Sequence, residues 1–316
     1  MSFEPAIAVV VPARNAEATL AAALVAIEAQ ELDGDFEVIV VDDGSSDATA
    51  AIAAAAGANV RLVGQAGLGP GPARNLGAAQ SRAPVLVFVD ADCVPAPQWL
   101  AEGLTAMAAN DLVQGRVVPD PSTPLHPFDH TIWVLCESPL YESANLFVRR
   151  ELFDRVGGFE DWLGARIGKP LAEDVWFGWR ARRAGARIAF APRALVHHAV
   201  IARGPRAYIA ERMRLAYFPA IVAKVPELRR DFLFARVFLT RGSASFDLAA
   251  AGIVAAVLSS STMPLLTFVP YASILLRRAL PHRRTAPWVA TADILADAVG
   301  FAALVLGSVR WRCLVL

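Results

Sequence analysis

Apolar runs and helical stretches alternate along the first ninety residues of the chain. The predicted strands are 7–11, 36–41, 60–63 and 85–89, and the first two predicted helices between them are 15–30 and 47–56. A strand that is buried on both faces reads as a continuous apolar run, and alternation with helices is typical of parallel strands joined by crossover helices. The pattern therefore predicts an α/β fold, with a mostly parallel sheet flanked by helices.

The alternation becomes less regular beyond Pro95. Further helices are predicted at 99–109, 151–156 and 172–184, further strands at 112–118, 145–148, 187–190 and 194–198, and a proline-rich loop at 120–128. The chain of 316 residues is long enough for two domains.

The C-terminal part of the chain is strongly apolar. No charged residue occurs from Leu248 to Leu276, a stretch of 29 residues, and about 20 apolar residues suffice to cross a bilayer. Pro264 and Pro270 interrupt this stretch, so a single straight helix is not expected. A second apolar stretch at 287–309 contains two aspartates. Membrane attachment is the favoured interpretation, and a buried helical pair or a dimer interface is the alternative.

Basic residues surround these apolar stretches. Residues 202–241 combine nine Lys and Arg residues with aromatic residues, which suits a membrane surface carrying anionic lipid or a solvated helix pair. The basic run 277–284 prefers the cytoplasmic side, which a re-entrant first segment would permit and a simple two-helix hairpin would not. The predicted domains are a catalytic domain at 1–200, a basic helical connector at 201–245 and a membrane-associated region at 246–316.

Composition narrows the functional classes. Thirty basic and thirty acidic residues cancel, so net charge gives no indication of a nucleic-acid partner. The hydrophobic share of 55% and mean hydropathy of +0.43 are high for a soluble protein. Three widely spaced cysteines predict neither a zinc site nor a disulfide framework. No signal peptide is expected, and the predicted location is the cytoplasmic face of the cell membrane.

Two carboxylates, Asp90 and Asp92, stand directly after the apolar run 85–89. Ligands of open α/β sheets gather at the carboxyl ends of the strands, and Mg²⁺ or Mn²⁺ prefers oxygen ligands. A turn with a helix cap is the simpler interpretation of an isolated D-x-D. The pair therefore predicts a metal and phosphate site only in combination with other residues.

Three further loops follow predicted strands, at 12–15, 42–47 and 67–77. Asp43 is suited to accept a hydrogen bond from a base or ribose. In the third loop, glycines permit close backbone approach and Arg74 brings a fixed positive charge. This loop matches neither the P-loop nor the Rossmann fingerprint.

Taken in order, these segments resemble family 2 of the inverting glycosyltransferases, which have a GT-A fold. The matching motifs are VVVPARN at 9–15, VDDGSSD at 41–47, ARNLG at 73–77, VDADCVPAPQWL at 89–100, ANLFVRR at 144–150, VGGFE at 156–160 and AEDVWFGWRARRAG at 172–185. The resemblance covers roughly residues 5–200. It implies a GT-A nucleotide-diphospho-sugar transferase fold, followed here by a C-terminal hydrophobic helical region.

The resemblance also implies roles for individual residues. The nucleotide-sugar donor is expected to be bound by Pro12, Arg14, Asp43, Arg74 and Asp90. Asp92 is expected to bind the divalent metal, Mg²⁺ or Mn²⁺, with His198 as a candidate further ligand or a structural histidine. Asp174 is the expected general base. The acceptor is expected near Gly158, Phe159, Glu173 and Trp176.

The implied reaction moves one sugar from a nucleotide-diphosphate sugar to a hydroxyl acceptor, which is a lipid-linked or cell-surface glycan. Processive members carry Q-x-x-R-W after the catalytic carboxylate, whereas the nearest segment here is Glu211–Leu215, with Glu and Leu at the Gln and Trp positions. This difference favours addition of a single sugar. The alternatives are a non-catalytic membrane-associated scaffold that binds nucleotide sugars, and a nucleotidyltransferase.

Overall fold

The computed structural model describes residues 5–32, 35–168 and 170–316, which form two compact units. The N-terminal unit contains the described residues up to Pro124 together with Thr131–Val200. The C-terminal unit contains Leu125–His130 and Ile201–Leu316. The short segment 125–130 is thus separated in sequence from the rest of its unit.

Within the described residues, eight strands form one sheet in the N-terminal unit. They are β1 Ile7–Ala13, β2 Phe36–Asp42, β3 Val60–Gly64, β4 Val85–Val89, β5 Cys93–Pro95, β6 Leu112–Pro119, β7 Asn145–Arg149 and β8 Ile188–His198. Their order is β3-β2-β1-β4-β7-β6-β8-β5. The first four strands pair in parallel, β7 is antiparallel to both β4 and β6, and β5 is antiparallel to β8. The α/β prediction is confirmed, and the sheet is mixed in its second half.

Helices flank this sheet, and a separate set of helices forms the C-terminal unit. Those of the N-terminal unit are α1 Leu20–Glu28, α2 Thr49–Ala54, α3 Pro70–Ala79, α4 Trp99–Met107, α5 Arg150–Val156, α6 Gly164–Ile167 and α7 Glu173–Arg183. Those of the C-terminal unit are α8 Pro205–Glu211, α9 Phe218–Lys224, α10 Leu228–Asp231, α11 Arg241–Ser259, α12 Val269–Ala279 and α13 Ala286–Trp311. Three 3₁₀ segments accompany the latter, at Arg212–Tyr217, Met263–Phe268 and Leu280–Thr285.

The first helix begins five residues later than the sequence predicts. Asn15 has a positive φ of 50°, and its backbone N–H donates to Ser45 Oγ while its side chain accepts from the Ser46 N–H. These hydrogen bonds join the loop after β1 to the loop after β2. Residues 15–19 therefore form part of a loop, and the helix begins at Leu20.

The two short strands predicted at 187–190 and 194–198 are a single strand, β8. Its pairing with β6 is parallel and shifts register between Gly115 and Arg116. The Asn145 side-chain amide bridges this irregularity by donating to the backbone carbonyls of Arg116 and Ala194. Because β8 continues past the shift, it carries His198 to the sheet edge beside β5.

The C-terminal unit is helical, and α13 lies against its other helices. The buried residues of α13 include Gly300 and Gly307, where an added Cβ would meet Leu215 and Ala216 of the 3₁₀ segment Arg212–Tyr217. Two segments, Arg241–Ser259 and Met263–Trp311, meet the length and composition expected of a membrane span, and each contains an 18-residue stretch whose mean hydropathy is 1.5 in the first segment and 1.9 in the second. The first is mostly exposed, whereas the second is more buried.

Candidate active site

The loops that carry the predicted site residues follow β1, β2 and β4, which are parallel neighbours in the sheet. Pro12 pairs with Val41 in the β1–β2 ladder, and Arg14 follows directly after β1. The Arg14 side chain is 56% exposed, and its Nη1 lies 3.7 Å from Asp43 Oδ2. An exposed guanidinium thus lies beside the buried carboxylate of Asp43.

Asp43 is held by the loop that precedes α3. Its Oδ1 accepts hydrogen bonds from Leu68 N–H at 2.7 Å and Gln65 Nε2 at 2.6 Å, and its Oδ2 accepts from Gly69 N–H at 2.9 Å. Gly69 has a φ of 100°, in the region that favours glycine. Asp43 therefore shapes the loop after β3, and Gln65 is a site residue that the sequence interpretation missed.

Arg74 lies in α3 and is almost fully buried, with 5% of its side chain exposed. Its Nη2 donates to Asp90 Oδ1 at 2.7 Å, and its Nη1 donates to Glu173 Oε1 at 3.2 Å. Desolvation opposes the charge, but the adjacent carboxylates raise the pKa of Arg74. Arg74 thus joins the end of β4 to the start of α7, and its two terminal nitrogens are already occupied by protein carboxylates.

Asp92 and His198 meet at the sheet edge formed by β5 and β8. His198 is opposite Cys93 in the antiparallel register, and its Nε2 lies 3.4 Å from Asp92 Oδ2. Its Nδ1 lies 2.7 Å from the Ala199 carbonyl. Because a carbonyl oxygen only accepts, Nδ1 carries a proton in this contact, and Nε2 faces Asp92.

This pair fits a divalent cation. Ligand atoms of Asp92, Cys93 and His198 all lie within 4.8 Å of one another, and a metal ligand histidine typically donates its other ring N–H to a carbonyl, as His198 does. Burial raises the pKa of Asp92, and the neighbouring charge of Asp90 raises it further. A bound cation would lower this pKa again, because it stabilises the ionised carboxylate. Burial also raises the pKa of the Cys93 thiol, which keeps it protonated and makes it a poor ligand.

Asp174 lies in the first turn of α7, next to Glu173. Its Oδ1 accepts a hydrogen bond from the Val175 N–H at 2.8 Å. Burial and the neighbouring charge of Glu173 raise the pKa of Asp174 to about 8, while Arg74 lowers it and Glu142 raises it further. A carboxyl group whose pKa is raised toward neutral is typical of an acid–base catalyst. Glu142, which accepts a hydrogen bond from the buried Gln114, is a second residue that sequence reasoning missed.

The four predicted acceptor residues occupy different environments. Gly158 and Phe159 are buried, and the Asn75 side chain both donates to the Phe159 carbonyl and accepts from its N–H. Glu173 is buried in the ion pair with Arg74. Trp176 is partly exposed, and its Nε1 donates to Glu160 Oε2 at 2.8 Å. Of the four, Trp176 has the side chain most accessible to an acceptor.

The structure thus brings part of the predicted set together through direct contacts. Arg74 connects Asp90 with the Glu173–Asp174 pair, Arg14 lies near Asp43, and Asp92 meets His198. Asn75 and Cys93 lie within the motifs ARNLG and VDADCVPAPQWL, but Gln65 and Glu142 gave no local signal because their partners are distant in sequence.

The chain is similar to several known glycosyltransferases. It is 33% identical over 202 residues to the glycosyltransferase AglE of Haloferax volcanii, covering 59% of this chain and 64% of that protein. It is 29% identical over 216 residues to the probable glycosyltransferase YdaM of Bacillus subtilis, covering 60% and 50%. The chain thus spans one half to just under two thirds of the length of these relatives.

Two solved structures share the fold. The mannosyltransferase PcManGT of Pyrobaculum calidifontis, in complex with GDP-Man and Mn²⁺, superposes with a TM-score of 0.65 at 22% identity, covering 94% of this chain and 87% of that one. TarS of S. aureus, in complex with UDP, gives a TM-score of 0.50 at 21% identity, covering 97% and 91%. At these identities the likeness concerns the fold.

The mixed sheet, with its carboxylates at the strand ends, is that of a GT-A type glycosyltransferase. Residues 8–159 match the family described as Glycosyl transferase family 2. These residues make up just under half of the chain, and the match assigns this segment to the family 2 glycosyltransferases.

Proposed function

We propose that this enzyme transfers a single sugar from a nucleotide-diphosphate sugar to a hydroxyl acceptor, with inversion at the anomeric carbon. The observation that carries the proposal is the Asp92–His198 pair at the sheet edge, with its 3.4 Å separation and its oriented imidazole. Asp174, whose pKa is raised to about 8, supplies a separate carboxyl group with acid–base character. One metal-binding site and one base are what a single displacement requires.

The donor is proposed to lie over the ends of β1, β2 and β4. Arg14 is exposed and offers its charge to the donor, and Asp43 with Gln65 offers hydrogen bonds to the base. The fold neighbours bind GDP-Man and UDP, which supports a nucleotide donor. Asp90 is proposed to contact the ribose or sugar, while Arg74 holds its carboxylate in place.

Asp92 and His198 would hold the divalent metal, and PcManGT was solved with Mn²⁺. When bound, Mg²⁺ or Mn²⁺ offsets the negative charge that develops on the departing diphosphate. The chain's own contribution is to fix Asp92, directly before β5, and His198, at the end of the adjacent β8, before the donor arrives.

Asp174 is proposed to take the proton from the acceptor hydroxyl. Such general-base catalysis typically contributes about 10²- to 10⁴-fold. Because the hydroxyl attacks as the diphosphate departs from the opposite face of the sugar, a single displacement inverts the anomeric carbon. The partly exposed Trp176, two residues further along α7, is proposed to line the acceptor site together with Arg180 and Arg183, whose guanidinium groups lie over its ring.

The acceptor is proposed to be a lipid-linked or cell-surface glycan, and the enzyme to act at the cytoplasmic face of the cell membrane. The two apolar segments of the C-terminal unit support a membrane location by their length and composition, and the basic run 277–284 supports the cytoplasmic face. Addition of one sugar rather than a polymer is supported by the absence of Q-x-x-R-W at Glu211–Leu215.

The test is turnover by the purified chain. With Mn²⁺ and a panel of nucleotide sugars, including GDP-Man and UDP-GlcNAc, one donor should release nucleoside diphosphate, and product analysis should show an inverted anomeric centre. Asp92→Ala and Asp174→Asn should each abolish release, whereas Asp154→Asn, at an exposed position on α5, serves as the matched control. Equal release by wild type and both site variants would contradict the assigned roles. Donor binding without turnover across the panel would instead favour the scaffold alternative.

A further inference from the structure

Residues 241–279 of the C-terminal unit form an antiparallel helical hairpin, here called the apolar hairpin. Its first arm is α11, and its second arm is the 3₁₀ segment Met263–Phe268 followed by α12. The neighbouring positions across the two arms are Gly242 with Arg278, Phe246 with Tyr271 and Gly252 with Thr267. The residue numbers on the first arm increase while those of their neighbours on the second arm decrease, so the two arms run antiparallel and side by side.

The outer part of the apolar hairpin is exposed and uncharged. Only Ala249 and Gly252 are buried among the described residues of α11. Near the turn, Val257 is 75% exposed and Leu258 is 82% exposed. Met263 and Leu266, on the returning arm, are 71% and 64% exposed. An exposed apolar surface of this kind marks an interaction site, because water solvates it poorly.

The turn itself satisfies part of its backbone locally. Ser259 Oγ donates to the Ala255 carbonyl at 2.7 Å, and Ser261 Oγ accepts from the Met263 N–H at 3.3 Å. Local hydrogen bonds of this type reduce the cost of placing a turn in an apolar environment. Because these polar groups are hydrogen-bonded within the turn, the turn can lie in lipid together with the apolar residues around it.

The opposite end of the apolar hairpin is basic. Arg241 begins the first arm, and Arg277 and Arg278 lie at the end of the second. The 3₁₀ segment that follows adds exposed Arg283 and Arg284. In residues 201–316 there are 15 Lys and Arg residues against six Asp and Glu residues, whereas residues 1–200 contain 15 against 24. The neutral net charge of the chain thus conceals a strongly basic C-terminal part.

The uncharged section of the apolar hairpin is long enough to enter a bilayer but too short to cross it. Residues 248–260 of the first arm extend about 20 Å at 1.5 Å per residue, and a bilayer core is about 30 Å thick. The charged residues of both arms lie at the same end. The uncharged section therefore reaches into the core without placing a charged residue on its far side.

We propose that the apolar hairpin inserts into one side of an anionic bilayer and returns, with its arginine-rich end at the lipid headgroups. The occupant of this exposed surface is lipid, because an uncharged outer half and a basic inner end match the apolar core and the anionic surface of a membrane. The proposal does not depend on the sugar transfer, since it concerns residues of the C-terminal unit alone.

Binding to vesicles tests the partner. The full chain should sediment with vesicles containing phosphatidylglycerol far more than with pure phosphatidylcholine vesicles. Arg277→Gln with Arg284→Gln should weaken partition into the anionic vesicles by roughly fivefold for each arginine removed. Leu258→Asp should abolish most of the binding, and Val25→Asp, at an exposed apolar position of α1, is the matched control. Equal binding to both lipids, or no effect of Leu258→Asp, would overturn the proposal.

Fluorescence tests the topology. In a Cys136→Ser background, which removes an exposed thiol, Leu258→Cys is labelled with an environment-sensitive dye whose emission should shift to the blue on vesicle addition. A lipid-attached quencher should reduce this emission, while an aqueous quencher trapped inside the vesicles should not. Quenching from the vesicle interior would show that the hairpin crosses. A change in oligomeric state with Leu258→Asp, with vesicle binding retained, would show that a second copy covers the surface instead.

Discussion

Replacing Arg74 by methionine should destabilise the N-terminal unit by about 3–5 kcal/mol, the usual cost of removing one partner from a buried ion pair. The methionine retains most of the apolar volume but leaves Glu173, with only 9% of its side chain exposed, without its cation. Asp90 loses its 2.7 Å contact as well, although it is 24% exposed and water replaces part of that interaction. The lower part of the range is therefore expected.

Thermal and urea unfolding of the full chain measure this effect. A loss of about 3 kcal/mol corresponds to a fall of roughly 6–12 °C in the melting temperature of a domain of this size. Adding Glu173→Gln to Arg74→Met removes the unpaired buried charge and should recover a large part of the loss, as a double-mutant cycle would show. Because Arg74 lowers the pKa of Asp174, Arg74→Met should also raise that pKa.

The competing interpretation of Arg74 is direct donor binding. If Arg74→Met left the melting temperature unchanged but abolished binding of GDP and UDP in the presence of Mn²⁺, the structural assignment would be refuted. A stability loss that Glu173→Gln does not reduce would also contradict the reasoning, because it would place the effect outside the ion pair.

Three further predictions concern the site. The pKa of about 8 for Asp174 lies above its unfolded value of 3.8, so activity should rise with pH up to about 8 as the base ionises. The free energy of unfolding should fall with pH between these values, because only the folded state retains the proton there; a flat slope, or the same slope in Asp174→Asn, would contradict this. His198→Ala should weaken Mn²⁺ binding in calorimetry by at least tenfold, whereas Cys93→Ser should not, and equal losses would make the thiol a ligand. Gly115→Ala should impair folding and Mn²⁺ binding together, because the added methyl group meets Asn145 at the register shift of β8; unchanged Mn²⁺ affinity would show that the shift does not position His198.

Strands β1, β2 and β4 were predictable from the sequence because each contains a buried, continuous apolar run with a turn after it. The Asp90–Asp92 pair was equally visible, since both its residues and its strand are local. The start of α1 was not, because Asn15 is fixed by hydrogen bonds to residues thirty positions away.

The buried position of Arg74 shows the same limit within the site. Its residue type indicated a charge available to a ligand, but its partners Asp90 and Glu173 are 16 and 99 positions away. The pairing of Cys93 with His198 likewise depends on how β8 crosses the sheet. Local patterns indicated candidate site residues, and the tertiary pairing determined which of these candidates are exposed to solvent.

The loop around Asp43 has a consequence for changing the donor of this enzyme by substitution. Two of the three hydrogen bonds to the Asp43 carboxylate come from the backbone of Leu68 and Gly69, and only the third comes from a side chain, that of Gln65. Most side-chain replacements at 68 leave its N–H in place. Because Asp43 is the proposed contact to the base, we expect substitutions at Gln65 to change base preference while the two backbone hydrogen bonds to Asp43 remain, which makes Gln65 the first choice for a saturation library.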